Sequence, residues 1–510
     1  MKTLIKKIIL LKNPTKNEIE TLKIKWAKGR ALKRHPLNSE ILAAASNKDR
    51  IKLKECLLKK PTRSGSGISA IAIMTPPSPC PGKCIYCPVG ENSPQSYVGF
   101  EPAARRGKLN QYDAYLQVKN RLEQLQAIGH YPEKCELIIM GGTFPAQPFE
   151  FQKKFIQNAF EAFNNKSKGS THSLKEAQKI NETAEHRVVG LTIETRPDFV
   201  FPEQFLELGA TRIEIGVQSL NNQVLAKIKR NHKVKTVKNA TKILKDFGFK
   251  INYHIMLGLP GSDFDDDLNT FIKMFEDSSF KPDLLKIYPT LVIKGTELYK
   301  MWKLGKYVPI DEKYVVDLLK KIYCFLPQYV RIMRIQRDIP ANFIEAGPKK
   351  SNLREIVERE VNKASINTKE IRFREVGHRI YDGQLNLKLN VFEYVASRGK
   401  EFFISVEDSA KNVLVGYLRL RFLSNNKNIA IVRELHIYGK SVRIGKKKSN
   451  KGEYQHFGWG RCLLKKAEEI CKKNKKTEIW VMSGVGAREY YKKLGYIFNK
   501  FYMKKKIYSL

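Results

Sequence analysis

The stretch Thr75-Pro-Pro-Ser-Pro-Cys80-Pro-Gly-Lys-Cys84-Ile-Tyr86-Cys87-Pro88 sets three cysteines at spacing C-x3-C-x2-C within eight residues. Three thiolates this close can hold three irons of a [4Fe-4S] cluster and leave the fourth iron open to a small molecule. A structural zinc site closes with four ligands, usually as two separated pairs, and no second pair or nearby histidine follows here. A disulfide framework is disfavoured, because Cys56, Cys135, Cys324, Cys462 and Cys471 are scattered and no export signal is evident. Cys80, Cys84 and Cys87 are therefore expected to bind a cluster whose open iron is the centre of the chemistry.

Outward from this loop the chain alternates strands and helices. Short, apolar, largely β-branched runs at 68–74, 136–140, 188–193, 212–217, 251–256 and 284–288 read as six strands, with helical segments such as 112–128, 149–163, 235–247 and 265–275 between them. That order predicts a parallel sheet with crossover helices, a partial (βα)6 barrel whose chemistry sits at the C-terminal strand ends. The sequence turns polar or glycine-rich at those ends. The cysteine loop follows the first run, Gly141-Gly142-Thr143 the second, Glu194-Thr-Arg-Pro-Asp198 the third, Gln218-Ser219 the fourth, and Gly258-Leu-Pro-Gly261, just after His254, the fifth. A glycine pair is often only a turn, yet here its carbonyls could approach a molecule on the open iron. Glu194, Glu214 and Gln218 each read equally well as ordinary barrel-layer residues; their repeated placement at one end makes them candidates as a group. His254 reads as structural.

At 510 residues two or three domains are expected. No run approaches the length of a membrane span, and the N-terminal stretch is interrupted by charge where a signal peptide needs an apolar core, so the reading is a cytoplasmic protein without membrane contact. The formal charge of +42 points to a polyanionic partner, against the plainer reading of a generally lysine-rich surface. Residues 1–60 carry 17 Lys or Arg and five acids, with Ile19, Leu22 and Trp26 at helical spacing, and read as a basic helical arm. Residues 331–384 read as a connection, with Arg331, Arg334, Arg337, Arg354, Arg372 and Arg374 available either for phosphates or for ion pairs between domains.

From about residue 385 the pattern becomes antiparallel. Runs at 402–406 and 413–422 pair, 429–438 and 478–482 add strands, and Gln455-His-Phe-Gly458-Trp459-Gly460 opens an amphipathic helix at 461–472. Glycines at a strand-to-helix turn expose helix N-terminal amides to a pyrophosphate. A lone Q-x-x-G-x-G is weak evidence, but the strand before it, the helix after it and Arg488-Glu-Tyr490-Tyr491-Lys-Lys-Leu-Gly-Tyr beyond strengthen it.

Two resemblances follow. With Tyr86 before its third cysteine, the cysteine motif resembles that of radical S-adenosylmethionine (SAM) enzymes, and the C-terminal set resembles the GNAT acetyltransferases. The fusion, with runs such as Gln95-Ser-Tyr-Val-Gly-Phe-Glu-Pro, Ile138-Ile-Met-Gly-Gly-Thr-Phe, Leu191-Thr-Ile-Glu-Thr-Arg-Pro-Asp, Arg337-Asp-Ile-Pro and Val432-Arg-Glu-Leu-His-Ile-Tyr-Gly, resembles the catalytic subunit of Elongator, the tRNA uridine(34) acetyltransferase family. The resemblance spans residues 68–503. It implies a [4Fe-4S] cluster on Cys80, Cys84 and Cys87, SAM near Gly141, Gly142, Thr143, Glu194 and Gln218, and acetyl-CoA as co-substrate. Lys134, Glu434, Leu435, His436, Ile437, Gly458, Trp459, Gly460 and Tyr490 would line the acetyl-CoA site, with Lys134, Tyr490 and Tyr491 in catalytic roles. The segment 367–374 lacks the cysteine of the family's zinc site, so no zinc is expected.

The implied reaction converts the wobble uridine of tRNA to 5-carboxymethyluridine. The implied partners are a tRNA anticodon stem-loop, an electron donor, and a second copy of the chain or Elongator-like subunits. The expected domains are 1–65, 66–330, 331–384 and 385–510. Lysine acetylation with the barrel as scaffold leaves the intact cysteine motif unexplained, and a non-catalytic tRNA-binding protein would be expected to have lost it.

Overall fold

The computed structural model describes residues 1–11, 14–58, 67–170, 172–379, 381, 383–439 and 458–507. Among them a parallel sheet runs β1 (Ser69–Met74), β2 (Lys134–Met140), β3 (Arg187–Thr195), β4 (Arg212–Gln218), β5 (Lys250–Leu257) and β6 (Leu284–Pro289), each strand beside its sequence neighbour. These are the six expected strands. A short pair, β7 (Val292–Ile293) with β9 (Ile344–Ala346), lies outside that sheet, and β8 (Arg331–Ile335) joins β6 as a seventh parallel strand. The barrel sheet therefore extends into the stretch read as a connection beyond residue 330. In Arg-Ile-Met-Arg-Ile the two arginines hide the apolar strand signal, and Arg331 is buried because Glu375 and the Tyr438 hydroxyl pair with it at 2.7 and 2.8 Å.

A second sheet contains β10 (Lys388–Ala396), β11 (Gly399–Asp408), β12 (Val413–Phe422), β13 (Ile429–Ile437), β14 (Glu478–Val481), β15 (Ile497–Asn499) and β16 (Tyr502–Lys506). All neighbours are antiparallel except β13 and β14. β10 is absent from the sequence reading: as an edge strand it leaves Leu389, Val391 and Val395 exposed. Four helices, α1 (Lys2–Leu10), α2 (Lys16–Lys28), α3 (Asn38–Ala44) and α4 (Asn47–Leu57), form the arm around a small core of their own, with Ile19 buried and Leu22 and Trp26 packed against it. Thr15 and Glu18 close a capping box on α2. Among the described residues no helix is long and apolar enough to cross a membrane.

The barrel and the second sheet meet through buried charge. Asp283, at the start of β6, receives Arg433 Nη1 at 2.7 Å and Nη2 at 2.5 Å, with Lys245 Nζ at 3.7 Å and Arg419 Nη1 at 3.6 Å. Glu401 on β11 takes Arg433 Nη2 at 2.6 Å, Arg421 Nη1 at 3.0 Å and Lys245 Nζ at 3.1 Å. Burial alone would raise both carboxyl pKa values. Arg433 and its neighbouring cations outweigh it, holding Asp283 well below the usual range and Glu401 at about 2.

Arg433→Ala strips both acids of their main partner and is expected to cost about 3–5 kcal/mol, read from the urea midpoint. Because both folded pKa values lie below the unfolded ones, their stabilisation is complete above about pH 4.5 and is lost as the pH falls toward about 2. The wild-type midpoint should decline across that window.

Candidate active site

The cysteine loop closes one side of a cavity of about 150 Å³ at the C-terminal ends of the barrel strands, lined by Cys80, Cys84, Cys87, Gly142, Thr143, Glu194 and Gln218 among others. All three cysteines are free thiols. Cys87 Sγ lies 3.0 Å from Ser96 Oγ, Cys80 Sγ 3.6 Å from Thr143 Oγ1, and Arg230 Nη1 donates to Cys84 Sγ at 3.4 Å. Burial raises the Cys87 thiol above its ordinary pKa, opposed by the Ser96 hydroxyl. Burial also opposes the charge on Arg230, but Tyr86, Cys84 and Cys87 outweigh it and raise its pKa further. Arg230 is thus a fixed cation beside the thiols, and sequence reasoning passes over it because its strand-distal loop carries no motif.

The cavity fits a polar ligand beside the thiols. Arg196 Nη1, Gln218 Oε1 and Arg230 Nε are buried atoms with no hydrogen-bond partner, and all three side chains line it. Arg196 is held by Asp198, at 2.9 and 2.8 Å, so that Nη1 stays against Gly82 of the cysteine loop. Gln218 sits at φ 71°, a conformation costly for a non-glycine residue and common at functional sites. Gly142, at φ 62°, faces the space. Gly141 does not: its φ is 117°, Thr75 Oγ1 donates to its carbonyl at 3.1 Å, and its role is to let β1 and β2 end close together.

Below this cavity the barrel interior is charged. Arg212 bridges Glu136 at 2.8 Å and Glu214 at 3.2 Å; Glu214 also meets Lys286 and, at 2.8 Å, His254; Lys286 reaches Glu194 at 3.0 Å. Burial would raise the Glu214 pKa, but Lys286, His254 and Arg212 hold it well below the carboxylate range. His254 and Glu214 therefore belong to one ion ladder that ends at Glu194 in the cavity wall, so His254 is tied to the site. Lys286 escapes sequence reasoning because a lone lysine in an apolar run reads as a strand edge.

A second cavity of about 620 Å³ lies at the opposite, N-terminal strand ends, between the barrel and the second sheet. Lys134, Leu435, His436, Ile437, Gly458, Trp459, Gly460, Tyr490 and Tyr491 all line it, joined by Arg187, Arg461 and Lys493. β13 creates the space. Its pairing to β14 stops at Val432, and a bulge makes Arg433 the extra residue before Glu434 pairs with Arg419, so the strand turns away from β14. Gly458, at φ 84°, is the N-cap of the helix Trp459–Lys473, whose first amides lack intrahelical partners. With four cations around it, that end fits a pyrophosphate. Burial lowers the Lys134 pKa and raises that of Tyr490 to about 12. Glu434 is not in the cavity wall: it pairs with Arg419 at 2.8 Å and Lys250 at 3.5 Å in the domain joint. Gln455 lies outside the described residues.

The arginines after residue 330 divide. Arg331 and Arg374 are buried and paired, Arg374 with Glu407 at 2.7 Å, so neither is available to a phosphate. Arg354 and Arg372 lie against Glu358 at 3.1 and 3.7 Å. Arg334 and Arg337 instead line the cysteine cavity.

A parallel half-barrel carrying a cysteine trio at its strand ends, with an acyl-CoA-type sheet under its base, defines a radical SAM enzyme fused to a GNAT acetyltransferase. The family models agree: an ELP3 N-terminal domain over residues 1–65, the radical SAM superfamily over 75–273, a radical SAM C-terminal domain over 282–363 and the GNAT family over 371–496. The tRNA uridine(34) acetyltransferase of Methanocaldococcus jannaschii is 48% identical over 91% of this chain and 88% of its own. Elongator complex protein 3 of Schizosaccharomyces pombe is 39% identical over 96% and 94%. The structure of Methanocaldococcus infernus Elp3 with an N-terminal deletion superposes with TM-score 0.75 at 41% identity, over 86% of this chain and 99% of that one. The chain belongs to the tRNA uridine(34) acetyltransferase family, that of Elongator complex protein 3. A [4Fe-4S] cluster, SAM and acetyl-CoA are the cofactors these two folds imply.

A Cβ on Gly460 would stand 2.6 Å from the Tyr490 hydroxyl. Gly460→Ala should therefore displace Tyr490 and weaken acetyl-CoA binding by about 1–3 kcal/mol in calorimetry. The loss should shrink in a Tyr490→Phe background. Unchanged affinity in Gly460→Ala would remove this turn from the cofactor site.

Proposed function

We propose that this protein modifies the wobble uridine of tRNA to 5-carboxymethyluridine, joining the acetyl methyl carbon of acetyl-CoA to the base and hydrolysing the thioester. The observation that carries the reading is the pairing of two cavities at opposite ends of one barrel, one beside three free thiols and one at a helix N-terminus ringed by cations. When bound, the cluster and SAM supply a hydrogen-abstracting radical, and acetyl-CoA supplies the two-carbon unit.

The chain's own residues position and shield. Cys80, Cys84 and Cys87 would hold the cluster, with the Arg230 guanidinium donating to the Cys84 sulfur. Gly142, Thr143, Glu194, Gln218 and the unpartnered Nη1 of Arg196 would orient SAM. Under the barrel, Gly458 to Gly460 with Arg187, Arg461 and Lys493 would hold the CoA phosphates, while Lys134, Tyr490 and Tyr491 would face the thioester. Tyr490, like any tyrosine, is protonated at neutral pH and so can donate to a carbonyl oxygen.

The substrate is taken as the anticodon stem-loop, whose unstacked bases need little extrusion. On the arm, Lys6, Lys7, Lys16, Lys25, Lys28 and Lys33 face solvent, a distribution suited to phosphates. An electron donor is required as a partner, and a second copy or Elongator-like subunits would join the assembly.

Anaerobic reconstitution with SAM, acetyl-CoA and tRNA, followed by nucleoside mass spectrometry, tests the reading directly: 5-carboxymethyluridine is the expected product. Replacing Cys80, Cys84 and Cys87 together by Ala should abolish iron loading and deoxyadenosine formation. Deleting residues 1–60 should weaken tRNA binding and flatten the slope of log affinity against log salt by roughly 0.7–0.9 for each phosphate that the arm neutralises, with acetyl-CoA affinity unchanged. Wild-type tRNA affinity and salt slope in that variant would show the lysines to be a solvated face.

A further inference from the structure

Phe100 is a large aromatic ring left 52% exposed on the loop whose Tyr97 and Glu101 line the cysteine cavity. Single exposed apolar side chains are ordinary. This one is built into place. Its ring stacks on Phe343 with centroids 4.7 Å apart and planes 26° from parallel. Phe343 in turn packs on an apolar cluster of Val98, Leu291, Ile293, Ile339 and Ile344. The turn that presents Phe100 is locked from below: the buried Glu101 carboxylate accepts the amides of Val98 at 2.9 Å and Gly99 at 3.0 Å, and Gly99 adopts φ 91°. Arg337, itself in the cavity wall, donates to the Ser96 carbonyl and ties this loop to the segment that carries Phe343.

The surroundings are cationic. Lys108 Nζ lies over the Phe100 ring, 5.8 Å from its centroid, and Arg105 on the same helix, Pro102–Leu109, is exposed. A rigid, half-bare aromatic face flanked by positive charge is the arrangement that takes a nucleobase with its phosphate, since every base offers a π-face and stacking tolerates any sequence. An apolar protein partner would not call for the cations.

We propose that Phe100, backed by Phe343, is a stacking platform for the nucleobase next to the wobble uridine, holding the loop open while the target base enters the cavity. The inference rests on the tRNA function proposed for this site. It adds an interaction that carries no charge, and so it is separable from phosphate binding.

The test measures binding of an anticodon stem-loop RNA over a salt series to the full-length protein and to Phe100→Ala, Phe100→Leu and Phe100→Trp. Phe100→Ala and Phe100→Leu should each weaken binding, Ala by roughly 5- to 150-fold, with an unchanged salt slope, and Phe100→Trp should retain affinity. RNAs made abasic on either side of the wobble position complete a cycle: at one of the two sites the wild type should lose the same factor, and Phe100→Ala should then lose little more. Wild-type affinity in Phe100→Leu, or losses that add in full at both flanking positions, would overturn the platform. If the wild type itself fails to bind the stem-loop, the tRNA function fails and the platform falls with it, an outcome visible in the wild-type series alone.

Discussion

Asp283 keeps a buried negative charge that the barrel by itself does not satisfy. Its chief partner, Arg433, comes from the other domain, and Arg433 is also what neutralises Glu401 in that domain. A buried charge stripped of its partner is costly, so the two folds are stable only in one relative placement. That placement puts the bulged end of β13 directly under the N-terminal ends of β2 and β3. Gly484 and Gly486 allow it: a side chain at either would strike the backbone around Val189 or Arg187. The lower cavity, with walls from both domains, exists because that joint is tight.

The same logic runs through the barrel interior, which would ordinarily be filled by branched apolar side chains. Here Glu136, Arg212, Glu214, His254 and Lys286 take that place, each within ion-pair distance of another. Asn252, fully buried on the same inward face, has neither side-chain polar atom paired within the protein. Such a core yields less hydrophobic stabilisation than an aliphatic one, and it carries fixed charge up to the wall of the cysteine cavity, where His254, Lys286 and Glu194 stand.

Much of this is legible in the residues. The six β-branched runs are six parallel strands, the cysteine loop borders a cavity at their C-terminal ends, and the glycine turn opens a helix. Long-range pairing is not legible. Arg331 and Arg433 look like surface or phosphate-binding arginines until their acids, Glu375, Asp283 and Glu401, arrive from distant segments. Glu434 goes with its motif into the expected cofactor site, but the bulge at Arg433 turns it into the joint instead. Gly141 and Gly142 are indistinguishable in sequence, and only the backbone shows one closing a turn and the other facing the cavity.

β2 has one further consequence. Its first residue, Lys134, borders the lower cavity and its last, Met140, the upper. Six residue steps separate them, about 20 Å along the strand. The two cavities thus lie a strand's length apart, so a group held beside Lys134 cannot touch the cysteine loop without moving, and a reaction that joins the two sites needs a step of transit as well as of chemistry.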